Sequence, residues 1–168
     1  MKNIEISKNI AFLSMLLAIS LILSYVESLF SYIFLSVGIK IGLTNIITLI
    51  GLKTCGKIKT FIIVFLRVFI ISLLFGNFMK FMLSLSGFLM SFIIMSICID
   101  VFKFSIYFTS MVGGVFHNIG QITALTFFIK THYIFSILPM YIFLGLLAGL
   151  VVGIVSNTVL KILSKYKR

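Results

Sequence analysis

Few residues in this chain could do chemistry, and most of them interrupt apolar sequence. The densest group is Gly113-Gly114-Val115-Phe116-His117-Asn118-Ile119-Gly120-Gln121. It puts a histidine and two amides inside a run from Ser105 to Ile129 that is long enough to cross a bilayer. Polar side chains at that depth are costly, so they turn toward a bundle interior and mark sites or pathways. His117 and Gln121 are one helical turn apart and share a face. Gly113, Gly114 and Gly120 let a neighbouring backbone or a ligand come close. Two readings follow: a helix-packing seam with an interhelical hydrogen bond, or a ligand-facing site.

Arg67 is the second such residue. It stands in the middle of an apolar run, where an arginine costs at least ~2.5 kcal/mol on insertion scales, so a carboxylate, a backbone carbonyl or an anionic ligand must compensate it. Glu27 is one of three acids, with Glu5 and Asp100. At a membrane boundary it is either solvated or paired with a base. Lys40, Thr44 and Asn45 open one predicted helix, and Gly76-Asn77 closes another. By depth alone, Glu27, Lys40, Asn45, Arg67, Asn77, His117, Asn118 and Gln121 are expected to line one cavity in the outer half of a bundle. Arg67, Lys40 and His117 would suit a small-molecule ligand with an anionic or carbonyl-rich part, and the phenylalanines would supply apolar wall.

Other chemistries lack their residues. No metal-ligand spacing is present, and no nucleotide-binding Gly-rich Lys-Ser/Thr motif, so an ATP-driven step has to come from a partner. His117, near the middle of one predicted helix, and His132, in the loop beyond its outer end, make a poor haem pair. No cofactor is therefore expected. Cys55 and Cys98 are expected to be free thiols near cytoplasmic ends.

The elements that must position these residues read as membrane spans. Of 168 residues, 61% are hydrophobic and 10% charged, which no soluble domain of this size needs. The fold class is all-α: an integral membrane bundle of six transmembrane helices in a single domain covering residues 1–168. The helices are predicted at Asn9–Tyr25, Lys40–Thr54, Thr60–Phe75, Lys80–Ile99, Ser105–Ile129 and Pro139–Leu163. Residues 27–39 are predicted as a loop dipping into the outer side. The first helix is read as retained, since no small-residue cleavage site follows it. Gly145, Gly149 and Gly153 repeat every four residues and form a close-packing stripe on the last helix.

A net charge of +11 suggests nucleic acid, but the bases sit between apolar runs and at the two ends, which is the membrane pattern. With six spans, Lys2, Lys8, Lys53, Lys57, Lys59, Lys103, Lys161, Lys165, Lys167 and Arg168 fall on one side. Lys40, Lys80 and Lys130 fall on the other. The positive-inside rule puts the first group, and both termini, in the cytoplasm.

These blocks resemble a bacterial membrane family known as the Gx transporter family, also called heptaprenyl diphosphate synthase component I. The matching stretches are Tyr25-Val26-Glu27-Ser28, Gly38 through Asn45, Leu66-Arg67-Val68 with Phe75-Gly76-Asn77, Ser86-Gly87, and Gly113 through Gln121. That family in turn is similar to the substrate-binding S components of energy-coupling-factor vitamin transporters, six-helix proteins that hold a small ligand near the outer face. The resemblance implies substrate capture and a transmembrane coupling subunit with two cytoplasmic ATPases as partner. It also implies docking through Ala11, Ser14 and Ala18, where S components carry an alanine stripe. The heptaprenyl label implies instead a subunit of prenyl diphosphate synthesis. Such enzymes bind diphosphate through Mg²⁺ on clustered aspartates, and three unclustered acids do not make that site, so the role would be non-catalytic. Similarity to proteins encoded beside flavin-based redox and quinone genes implies a third role, as part of a redox membrane complex.

Overall fold

The computed structural model describes residues 2–34 and 42–166. They form α1 (Lys2–Phe34), α2 (Asn45–Thr54), α3 (Lys57–Phe75), α4 (Phe78–Asp100), α5 (Ile106–Ile129), a 3₁₀ segment (His132–Ile137) and α6 (Leu138–Tyr166). Among the described residues, five helices are long and apolar enough to cross a bilayer. The chain is therefore an all-α, multi-pass membrane protein. The sixth helix, α2, has 10 residues. At 1.5 Å per residue it covers about 15 Å, half of the hydrocarbon core.

Local chemistry sets the helix ends. Asn77 caps α4, its side chain accepting from Lys80 N at 2.8 Å, and Ser105 caps α5 by accepting from Phe108 N at 3.3 Å. These caps satisfy amides that have no partner within the helix. Lys130 ends α5 in the left-handed region at φ 53°, and Gly56 turns the chain between α2 and α3 at φ +83°.

Two expected boundaries differ. The segment after Tyr25 is helical through Phe34, so Glu27 lies within α1 and not in an outer loop. The second helix starts at Asn45 and not near Lys40. Lys40 itself lies outside the described residues. The reason is a helical stripe that continues past Tyr25: Leu16, Ser20, Ser24 and Glu27 are all buried, at spacings of four, four and three. Glu27 thus finds its partners inside the bundle, and the helix need not end to solvate it.

The short helix stands at the centre. It packs against α1, α3, α4, α5 and α6, while the long helices follow one another around it in the order α1, α3, α4, α5, α6. The α5–α6 seam is built on small residues. A Cβ placed on Gly145 would lie 2.9 Å from Gly114 O, and one on Gly149 would lie 2.6 Å from Met111 Cα. On the other side of α5, a Cβ on Gly120 would lie 2.6 Å from Ser86 O of α4. The Gly145-Gly149-Gly153 stripe therefore seats α6 against α5, as its spacing predicts.

One end of the bundle gathers both termini. Lys57 at the start of α3 forms an ion pair with Asp100 at the end of α4. Asn157 Nδ2 of α6 donates to Tyr107 Oη near the start of α5 at 2.6 Å. Lys8, Lys53, Lys59 and Ser164 line one cavity.

Candidate buried polar site

Glu27 is the pivot. Its carboxylate accepts from the backbone N–H of Gly42, from Leu43 N at 3.1 Å and, more weakly, from Thr44 Oγ1 at 3.5 Å. Thr44 is the N-cap of α2 but makes no side-chain cap bond. The first amides of α2 bond the carbonyls of Gly42, Leu43 and Thr44, and the Glu27 carboxylate takes the amides of the turn just ahead of them. Amides at a helix start carry partial positive charge and point at an anion, so the arrangement is favourable on both counts. Gly42 makes the approach feasible: φ +91° is a backbone conformation that favours glycine.

Arg67 is buried in α3. Its Nη1 donates to Ser24 Oγ at 3.4 Å, and it lies within electrostatic reach of Glu27. Its Nε has no hydrogen-bond partner. The buried carboxylate offsets part of the cost of placing an arginine in mid-span, acting through its field and not through a direct ion pair. The carboxylate is shared, because most of its hydrogen-bonding capacity goes to α2.

From Gly42 the polar layer continues across the bundle. A Cβ on Gly42 would lie 3.2 Å from Asn45 Nδ2 and 3.3 Å from His117 Cδ2. A Cβ on Gly87 of α4 would lie 3.0 Å from His117 Cε1 and 2.9 Å from Gln121 Cγ. The imidazole thus sits between two glycines, each leaving it room. Ser91 lies 3.5 Å from Asn45 Oδ1, but its proton has a better acceptor in Phe88 O at 3.0 Å. Asn45 Nδ2 has no hydrogen-bond partner. Arg67, Glu27, Gly42, Asn45, His117 and Gln121, with Gly87 of α4 against the imidazole, thus form one connected buried layer drawn from α1, the turn before α2 and its first residue, α3, α4 and α5. Unsatisfied buried donors are uncommon, and each asks for an acceptor.

Other expected site residues go elsewhere. Asn77 is exposed and serves as the α4 cap. Asn118 is buried but faces α6, donating from Nδ2 to Tyr141 O at 2.7 Å. Ala11, Ser14 and Ala18 are exposed on the outer face of α1. Ser24, Gly42 and Gly87 also belong to the layer; Gly42 and Gly87 stand in the blocks that carry the family resemblance but were not expected at the site, and Ser24 was not singled out from sequence. Ser24 was within reach of that reading, since it stands one turn before Glu27 in an apolar run.

The profile of the heptaprenyl diphosphate synthase component I family matches residues 16–159. The chain belongs to this family. The matched region of this component I chain runs from α1 to α6 and contains the whole polar layer. No curated protein and no solved structure matches it.

Proposed function

We propose that this component I chain is a non-catalytic membrane subunit serving prenyl diphosphate synthesis. The observation that carries the reading is the family match, taken with the state of the two acids whose side chains are described. Glu27 is bonded to the start of α2, and Asp100 is ion-paired with Lys57. Neither is available to gather Mg²⁺ around a diphosphate. The catalytic carboxylates belong to a partner, and this chain contributes a membrane platform and contacts to an isoprenoid ligand. The face with Lys8, Lys53, Lys59 and Lys165 is cytoplasmic in this reading, supported by ten bases against three. Co-expression with a soluble prenyl diphosphate synthase subunit of the same cell tests it. Co-purification, and a change in product yield or chain length when the membrane chain is present, are expected. A soluble subunit that neither associates nor changes its products would refute it.

A second reading has its own support. Arg67 Nε and Asn45 Nδ2 are buried donors without partners in one connected layer, which suits capture of a small ligand with carbonyl or anionic groups, as in S components of energy-coupling-factor transporters. The exposed Ala11, Ser14 and Ala18 leave α1 free for a coupling subunit. Mass spectrometry of the detergent-purified protein, compared with the Arg67→Ala, His117→Ala double variant, separates this reading from the first. A small molecule retained by the wild type and lost from a monodisperse double variant supports capture.

A further inference from the structure

Between the ends of α1 and α6, at the end of the bundle that gathers both termini, lies a cavity of about 510 Å³. Its rim carries Lys8 from α1, Lys53 from the last turn of α2 and Lys59 from the first turn of α3. No acid lines it. The nearby Lys57 is different in kind, because Asp100 neutralises it. The floor is apolar: Phe12, Leu160 and Leu163 line the cavity and pack on the cluster of Leu16, Ile47, Ile50 and Ile63. Among the described residues, α1 and α6 both border this space without packing directly on each other. Three lysines that form no ion pair among the described residues, over a hydrocarbon floor in a slot between two helices, match one ligand chemistry. That is an amphiphile with a phosphate or diphosphate head and a long apolar tail.

We propose that this cavity binds the phosphate head and proximal tail of such an amphiphile. A prenyl diphosphate and an anionic phospholipid share this chemistry. The site rests on the lysines, the floor and the gap. The proposed role in prenyl diphosphate synthesis bears only on which of the two occupies it. It is distinct from the buried layer around Glu27 and Arg67, with which it shares no residue.

Cys55 lines the cavity and is half-buried, while Cys98 is buried within α4, so the native chain carries its own reporter. The full-length protein in detergent is treated with a thiol-alkylating reagent in the presence of farnesyl diphosphate, phosphatidic acid or inorganic diphosphate. At least one of the two amphiphiles should slow Cys55 alkylation several-fold, and inorganic diphosphate should do so much less. Lys53→Gln with Lys59→Gln should weaken binding of the protective amphiphile tenfold or more by native mass spectrometry. Lys165→Gln, exposed near the same end but not lining the cavity, should leave it unchanged. Protection by phosphatidic acid alone would keep the cavity as an anionic-lipid site and remove prenyl diphosphate from it. Protection by farnesyl diphosphate would join the site to the proposed function. Three results would each overturn the proposal: no protection by either amphiphile, equal protection by inorganic diphosphate, or equal loss in Lys165→Gln. None of these bears on whether the chain associates with a synthase subunit.

Discussion

At the scale of single residues, Glu27 has two tasks that one carboxylate rarely combines. It accepts from the amides that open α2, and its charge balances Arg67. Glu27→Ala removes both, stranding the amides of Gly42 and Leu43 and taking away the carboxylate field at Arg67, and should cost roughly 3 kcal/mol or more. Glu27→Gln retains one acceptor oxygen and should cost less, about 1–3 kcal/mol. Thermal unfolding in detergent should therefore rank wild type above Glu27→Gln above Glu27→Ala, and equal melting temperatures would contradict the assignment. The pair also predicts coupling. Arg67→Ala and Glu27→Ala together should destabilise less than the sum of the two, by about 0.5–3 kcal/mol, since each single change strands the other charge. Additive effects would mean that the two charges do not sense each other. The need for compensation at Arg67 was legible from its depth alone. The identity of the compensator was not, because Glu27 stands forty residues earlier in the chain and sequence gives no helix adjacency.

At the scale of elements, the glycines of α5 and α6 divide by what they touch. A Cβ on Gly149 would lie 2.6 Å from a backbone atom of Met111, whereas one on Gly153 would first meet atoms at 3.1 Å, among them the Ser110 side chain. Gly149→Ala should therefore destabilise more than Gly153→Ala, by about 1–3 kcal/mol against a smaller effect, and Gly149→Leu should be worse than either. Melting temperatures of the three variants check the order. A Gly149→Leu protein as stable as wild type would remove the close contact. The packing reading of the Gly113–Gln121 block finds its counterpart here. Gly114 and Gly120 serve the seams to α6 and α4, while His117 and Gln121 turn toward Gly87 and the polar layer. The helical period made the shared face of His117 and Gln121 legible. The break before α2 was not legible, because Gly42-Leu43-Thr44-Asn45 reads as the first turn of a longer helix. Only the carboxylate of Glu27 and the positive φ at Gly42 make it a turn.

At the scale of the whole molecule, the boundaries of α3, α4, α5 and α6 follow apolar run lengths closely, which is why they were legible within a few residues. The arrangement of helices around α2 was not, because hydropathy reports depth and not neighbours. The even number of predicted spans implied that the two ends of the chain share a side. Lys8, Lys53, Lys59 and Ser164 share a cavity, so both ends of the chain belong to one face of the bundle. Single cysteines at positions 8 and 165, in a protein with Cys55 and Cys98 replaced, should therefore react with a membrane-impermeant reagent from the same side. Labelling from opposite sides would contradict the arrangement, and labelling of both in intact cells would place that face outside.

The shortness of α2 also bears on how the chain enters the membrane. A helix of 10 residues with Thr44 at its cap and Asn45 and Thr48 along it is too short and too polar to partition into lipid by itself. Its walls are α1 and α3 on one side and α4, α5 and α6 on the other, most of them synthesised after it. Nascent chains halted before α4 should thus leave Asn45–Thr54 reachable by aqueous reagents, and chains released after α6 should not. Early protection of this segment would show that it inserts on its own. The centre of the bundle is in this sense the last part to be enclosed, and a failure of any surrounding helix would present a half-formed polar core to the lipid.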